Sequence, residues 1–154
     1  MVACDRICCA IDFSEASLLA LVEAAELARW LGAELTILHV HAVPEDGVGP
    51  RPSAFAVASV DLHRDIAVWR AEAERRAGAP VHAEVVPGDP AEEIVRYARE
   101  RRAGLLVLGA RGRSAGGRRL GSVAARVARE AACPVLVIRP RVPAPEWTEA
   151  LHAA

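Results

Sequence analysis

The chain contains no lysine: all 19 basic residues among its 154 positions are arginine. That excludes lysine Schiff bases, lysine nucleophiles and the lysine of a P-loop. Aromatic residues are scarce, at 4%, too few for a base-stacking nucleic-acid surface. Net charge is −1, so no overall field draws the chain to a polyanion. No apolar run reaches the roughly 18 residues of a membrane span, and the N-terminus lacks a signal-like apolar core. Cys4, Cys8, Cys9 and Cys133 form no CxxC pair and have no histidine at ligand spacing. They read as structural thiols in a reducing cytoplasm. The histidines are dispersed, and there is no HExxH, no GxSxG elbow and no nucleophile–base pair. These absences point to a soluble cytoplasmic domain with no metal site, no membrane anchor, no nucleic-acid surface and no catalytic residue.

Apolar residues make up 53% of the chain, enough for a real core. Strand-length apolar runs recur at 7–11, 35–40, 81–86, 105–108 and 135–138. Helical stripes lie between them. Leu18, Leu21, Val22, Ala25 and Ala28 form one; Leu62, Ile66, Trp69 and Ala73 a second. Ile94, Val95 and Ala98 form a third, and Val123, Val127 and Ala131 a fourth. Ser14, Asp89 and Ser122 read as N-caps, with Pro90 at the first helical position. Gly32, Gly78, Gly104 and Pro134 read as helix stops. Residues 41 to about 56, with Pro44, Gly47, Gly49, Pro50 and Pro52, read as a weakly ordered loop. The alternation β(αβ)₄ predicts an α/β fold, a single doubly wound domain over residues 1–140. Its parallel sheet of five strands takes the order 3-2-1-4-5, with helices on both faces. A proline-rich tail with Trp147 follows over 141–154.

The stretch from Leu105 to Ser122 carries the chemistry. A buried strand runs into a loop with Gly109, Gly112, Gly116, Gly117 and Gly121, and a helix opens at Ser122. Strand, glycine loop and helix start make an anion site: free N–H groups and the positive helix end both favour phosphate. Gly121 precedes the helix, so its own N–H is expected to join that group. Arg111, Arg113, Arg118 and Arg119 add cationic charge with no acid among them. The plainer alternative is a solvated basic turn. The turn after the first strand, Ile11-Asp12-Phe13-Ser14, has no glycine, which disfavours a dinucleotide-binding Rossmann domain. In the expected strand order, Asp12 and Gly109 face one crevice. Asp12 can there accept a hydrogen bond from a ribose hydroxyl, or serve only as a helix-start carboxylate.

Ala10-Ile11-Asp12-Phe13-Ser14, Leu38-His39-Val40, Gly109-x-x-Gly112…Gly121-Ser122 and Cys133-Pro134-Val135 occur in an order that resembles the universal stress protein family. The resemblance spans roughly residues 5 to 140 and is to the ATP-binding subgroup. It implies ATP or another adenine nucleotide as ligand, with room for Mg²⁺, and a homodimer paired through the last strand, 135–138. It assigns Asp12 to the ribose, the backbone of Val40 to adenine, and Gly109, Gly112, Gly121 and Ser122 to the phosphates, beside Arg113. Ala10, Ile11 and Val123 would line the pocket. Arg113 to Leu120, eight residues, is one residue shorter than the family's usual spacing, a shift of about 3.5 Å at most. The function expected is a nucleotide-binding regulatory module in stress response. The alternatives are a nucleotide-independent dimeric interaction protein and a weak ATPase. The ATPase lacks a residue to orient water or substrate.

Overall fold

The computed structural model describes residues 4–42, 52–111 and 119–140. Its first strand, β1 (Arg6–Ile11), is buried at every position after Arg6. Helix α1 (Glu15–Leu31) follows a short turn. Ser14 caps it, its Oγ accepting the Ser17 N–H at 3.2 Å. Gly32 ends it at φ 65°, the left-handed conformation that lets the last carbonyls be satisfied. Strand β2 (Glu34–His41) is followed by α2 (Pro52–Ala77), β3 (Val81–Pro87) and α3 (Pro90–Glu100). Strand β4 (Leu105–Gly109), α4 (Ser122–Glu130) and β5 (Val135–Ile138) complete the described residues.

The five strands are parallel and ordered β3-β2-β1-β4-β5, the expected doubly wound sheet. Alternation along β1 divides the core. Ile7, Cys9 and Ile11 point to the α1/α2 layer, where Leu21, Leu35 and Ile37 are also buried. Cys8 and Ala10 point to the α3/α4 layer, with Leu38, Leu106, Leu108 and Ile94. This two-sided burial is why the central strands are apolar throughout rather than alternating. Burial pushes the Cys8 thiol up to about 12, helped by the neighbouring Cys133 and Glu84. It also pushes Cys9 well up, so both thiols stay protonated.

Three boundaries differ from those expected. Residues 52–56, expected as loop, open α2. Pro52 stands at the first helical position, where the missing N–H removes no helix bond. Gly104 does not stop α3: the helix ends at Glu100, and Arg102 takes the left-handed turn at φ 52°. Gly104 instead leads into β4, its N–H donating to Arg6 O at 2.8 Å. Ala131 lies outside α4, with extended backbone that leads to Pro134. The rest of the expected loop, 43–51, and the tail, 141–154, lie outside the described residues.

Candidate functional site

Strand order reverses between β1 and β4, and a cleft opens there beyond the strand C-termini, as in other doubly wound sheets. It is a cavity of about 320 Å³ on the α3/α4 side, within the range of about 300–1,000 Å³ of small-molecule sites. Ala10, Ile11 and Asp12 form one wall, Gly109 and Arg111 another, and Gly121, Ser122 and Val123 a third. Leu38 and Val40 reach it from β2, and Pro90 and Ile94 from α3. Of the residues chosen from the sequence, Ala10, Ile11, Asp12, Val40, Gly109, Gly121, Ser122 and Val123 therefore share this cavity. Gly112 and Arg113 lie outside the described residues.

The Asp12 carboxylate is held in place by its own turn. Its Oδ1 accepts the Ser14 N–H at 3.0 Å, and its backbone N–H donates to Ser17 Oγ at 3.3 Å. The Ser17 hydroxyl donates to Ser14 O at 3.1 Å, so this buried hydroxyl is satisfied while it braces the turn. Phe13, between them in the chain, sits at φ 61°, a costly conformation for a non-glycine residue. Its ring packs against His39 (5.0 Å between centroids) and Trp69 (5.1 Å). His39 Nδ1–H donates to Ile11 O at 2.9 Å. Thus His39 supports the end of β1 and is absent from the cavity wall.

The glycine segment corrects two expectations. Ser122 is the first residue of α4, and Gly121 is its cap, with no side-chain hydrogen bond at the helix start. The Gly121 N–H does not point to a ligand: it donates to Ala110 O at 2.7 Å. The first bond within α4 runs from Ala125 N to Gly121 O. The N–H groups of Ser122, Val123 and Ala124 thus have no carbonyl within the helix. By contrast α1 is capped by Ser14, and α3 by Asp89, which accepts the Glu92 N–H at 2.9 Å. No side chain of a described residue caps the α4 terminus, which carries the positive end of the helix dipole.

Gly109 has a second partner besides the cavity. A Cβ there would fall 2.7 Å from the Ala16 carbonyl carbon, so β4 and the first turn of α1 touch through this glycine. Sequence reasoning missed Ser17, Leu38, Pro90, Ile94, Leu108 and Ala124 as lining residues. Ile94 was readable as inward-facing, and the strand order leads from there to the cleft. Arg111 was readable only as one of several loop arginines. Its Nε is a buried side-chain polar atom with no hydrogen-bond partner among the described residues. No group of three or more His, Cys, Asp or Glu among the described residues could hold a metal ion. No described helix is long and apolar enough to cross a membrane.

A profile of the universal stress protein family matches residues 4–139. The chain is similar to universal stress protein YxiE of Bacillus subtilis, 33% identical over 149 residues, covering 88% of this chain and 99% of that one. It superposes on universal stress protein UspA from Lactobacillus plantarum with a TM-score of 0.76 at 26% identity, covering 90% of this chain and 100% of that one. A universal stress protein in complex with cAMP gives a TM-score of 0.64 at 30% identity, covering 89% and 98%. Another, from Archaeoglobus fulgidus in complex with dAMP, gives 0.61 at 27% identity, covering 90% and 99%.

Proposed function

The chain belongs to the universal stress protein family, and on that premise we propose that it acts in stress response as an adenine-nucleotide-binding module whose occupancy regulates contacts of a dimer. The observation that carries this reading is the cleft between β1 and β4. There an uncapped α4 terminus, the Asp12 carboxylate and an apolar wall from β1, β2 and α3 converge. Each surface suits one part of a nucleotide. The apolar wall, with Val40, Leu38 and Ile94, takes adenine. Asp12 accepts from a ribose hydroxyl. The N–H groups of Ser122 and Val123, which have no carbonyl partner within α4, take phosphate oxygens together with Gly109, Gly112 and Arg113. The orphaned Arg111 Nε fits an anionic group at the same wall. Relatives solved with cAMP and dAMP support the adenine choice. ATP, with Mg²⁺ beside its phosphates, is the form that the resemblance to the ATP-binding subgroup implies.

Mass spectrometry of the native protein tests this directly: an adenine nucleotide should leave the protein on denaturation. Calorimetry should then show ATP, AMP or cAMP binding that Asp12→Ala weakens. A ligand at 100 times its dissociation constant should add about 2.7 kcal/mol to stability. The short spacing from Arg113 to Leu120 favours a second reading, a nucleotide-independent interaction protein on the same fold. That reading leads if no adenine nucleotide co-purifies and none shifts the melting temperature.

A further inference from the structure

We propose that Arg111 is the residue that makes the cavity require a phosphorylated ligand rather than a neutral nucleoside. The assignment rests on the nucleotide reading above and adds a specificity-determining residue to it. Ala110 fixes the backbone on which Arg111 is carried. Its N–H donates to Ile138 O at 2.8 Å, and its carbonyl accepts from Gly121 N–H at 2.7 Å. The chain at this point is therefore tied to both β5 and α4, and the next side chain lines the cavity. Among the described residues, Arg111 Nε is the buried side-chain polar atom left without a partner.

Buried donors of charged groups are paired in native proteins, because leaving one unmade forfeits its hydration without return. Arg126, partly exposed on the same side of the fold, reaches Asp89 and Glu130, each at 3.0 Å. Asp12, the carboxylate on the same cavity, is engaged by the Ser14 N–H. What Arg111 lacks is an acceptor, and a phosphate supplies several. A guanidinium presents a planar fork of donors that matches phosphate oxygens two at a time. The N–H groups of Ser122 and Val123 at the same cavity hold the remaining oxygens from the helix side. Adenosine offers adenine and ribose to the other walls but nothing to Arg111. The Arg111 Nε then stays unpaired, and the complex is weaker.

Calorimetric titration of the full chain with AMP and with adenosine tests the assignment. Wild type should bind AMP more tightly than adenosine by roughly tenfold or more. Arg111→Gln should bring AMP down to the adenosine level and leave adenosine within about twofold of wild type. Arg111→Lys, which keeps the charge but loses the fork, should recover only part of the preference. Melting of the ligand-free proteins separates this role from a structural one. Removing an unpartnered buried donor should leave the melting temperature unchanged or raised, whereas a structural arginine would lower it. If Arg111→Gln keeps the wild-type preference for AMP, the assignment is overturned while the nucleotide reading stands. If wild type binds neither ligand, the nucleotide reading itself falls and the assignment falls with it.

Discussion

At position 109 a methyl group has no room. A Cβ there would lie 2.7 Å from the Ala16 carbonyl carbon and 2.9 Å from both its oxygen and its Cβ. Backbone cannot rotate aside as a side chain can, so either β4 or α1 must shift. Gly109→Ala should destabilise the fold by about 1–3 kcal/mol. Urea unfolding followed by circular dichroism reads it, and an unchanged midpoint would show that the two elements separate at no cost. The glycines of this segment were legible in the sequence as special, and Asp12 and Ser122 as its neighbours. The reason for each glycine was not. Gly109 is set by Ala16, which is remote in sequence. Gly121, at φ −62°, has a backbone any residue adopts, and its N–H is already bonded. Which arginine faces the cavity was also hidden. Arg111 looks like any arginine of a basic run, and its place on the cavity follows from the point where β4 ends.

Helix ends follow local chemistry when one side chain settles them. Ser14, Asp89 and Gly32 sit at the ends they predict because each acts within its own turn. Pro52 and Gly104 misled because each suits two positions: proline breaks a helix or begins one, and glycine ends a helix or leads into a strand. The C-terminal part of α2 shows local chemistry that persists in the fold. Glu72 accepts from Arg75 at 2.9 and 2.8 Å and from Arg76 at 2.6 Å. These hydrogen bonds, that of Arg75 first, hold its carboxyl at about 2, below the ordinary 4.5. A depressed carboxylate contributes stability that is fully present above the unfolded value and is lost as pH falls through the folded one. The advantage of wild type over Glu72→Gln should therefore shrink between pH 4.5 and about 2. It should also weaken in high salt, since the group is exposed. A carboxyl-carbon NMR titration with its midpoint at the ordinary value would refute the assignment.

Across the whole molecule, the sheet formed by the described residues has two edges, and they differ. The β3 edge carries His82 and Glu84 and ends at Pro87, features that discourage strand pairing. The β5 edge is Val-Leu-Val-Ile, all half-buried, with no charge to protect it. The topology was legible because helix and strand periods alternate so regularly. A partner for the last edge leaves no period in the sequence, so the expected pairing through 135–138 rests on the family resemblance alone. We expect two copies to pair through β5 about a two-fold axis. The ladder itself tells which residue tests this. In a parallel pair, a residue's N–H and C=O face the same neighbour. Pro134 and Ile138 both present their carbonyls to β4, accepting from Leu106 N–H at 3.0 Å and Ala110 N–H at 2.8 Å. Leu136, between them, faces the same way, so proline there would break the monomer's own sheet. Val135 and Val137 present their backbone groups to the open edge. Val137→Pro should thus remove a donor from the partner's ladder while sparing the β4–β5 bonds, as edge positions tolerate proline. Sedimentation should show wild type as a dimer at micromolar concentration and Val137→Pro as a folded monomer with an unchanged far-ultraviolet spectrum. A wild-type monomer, or a variant that stays dimeric, would place any association on another surface.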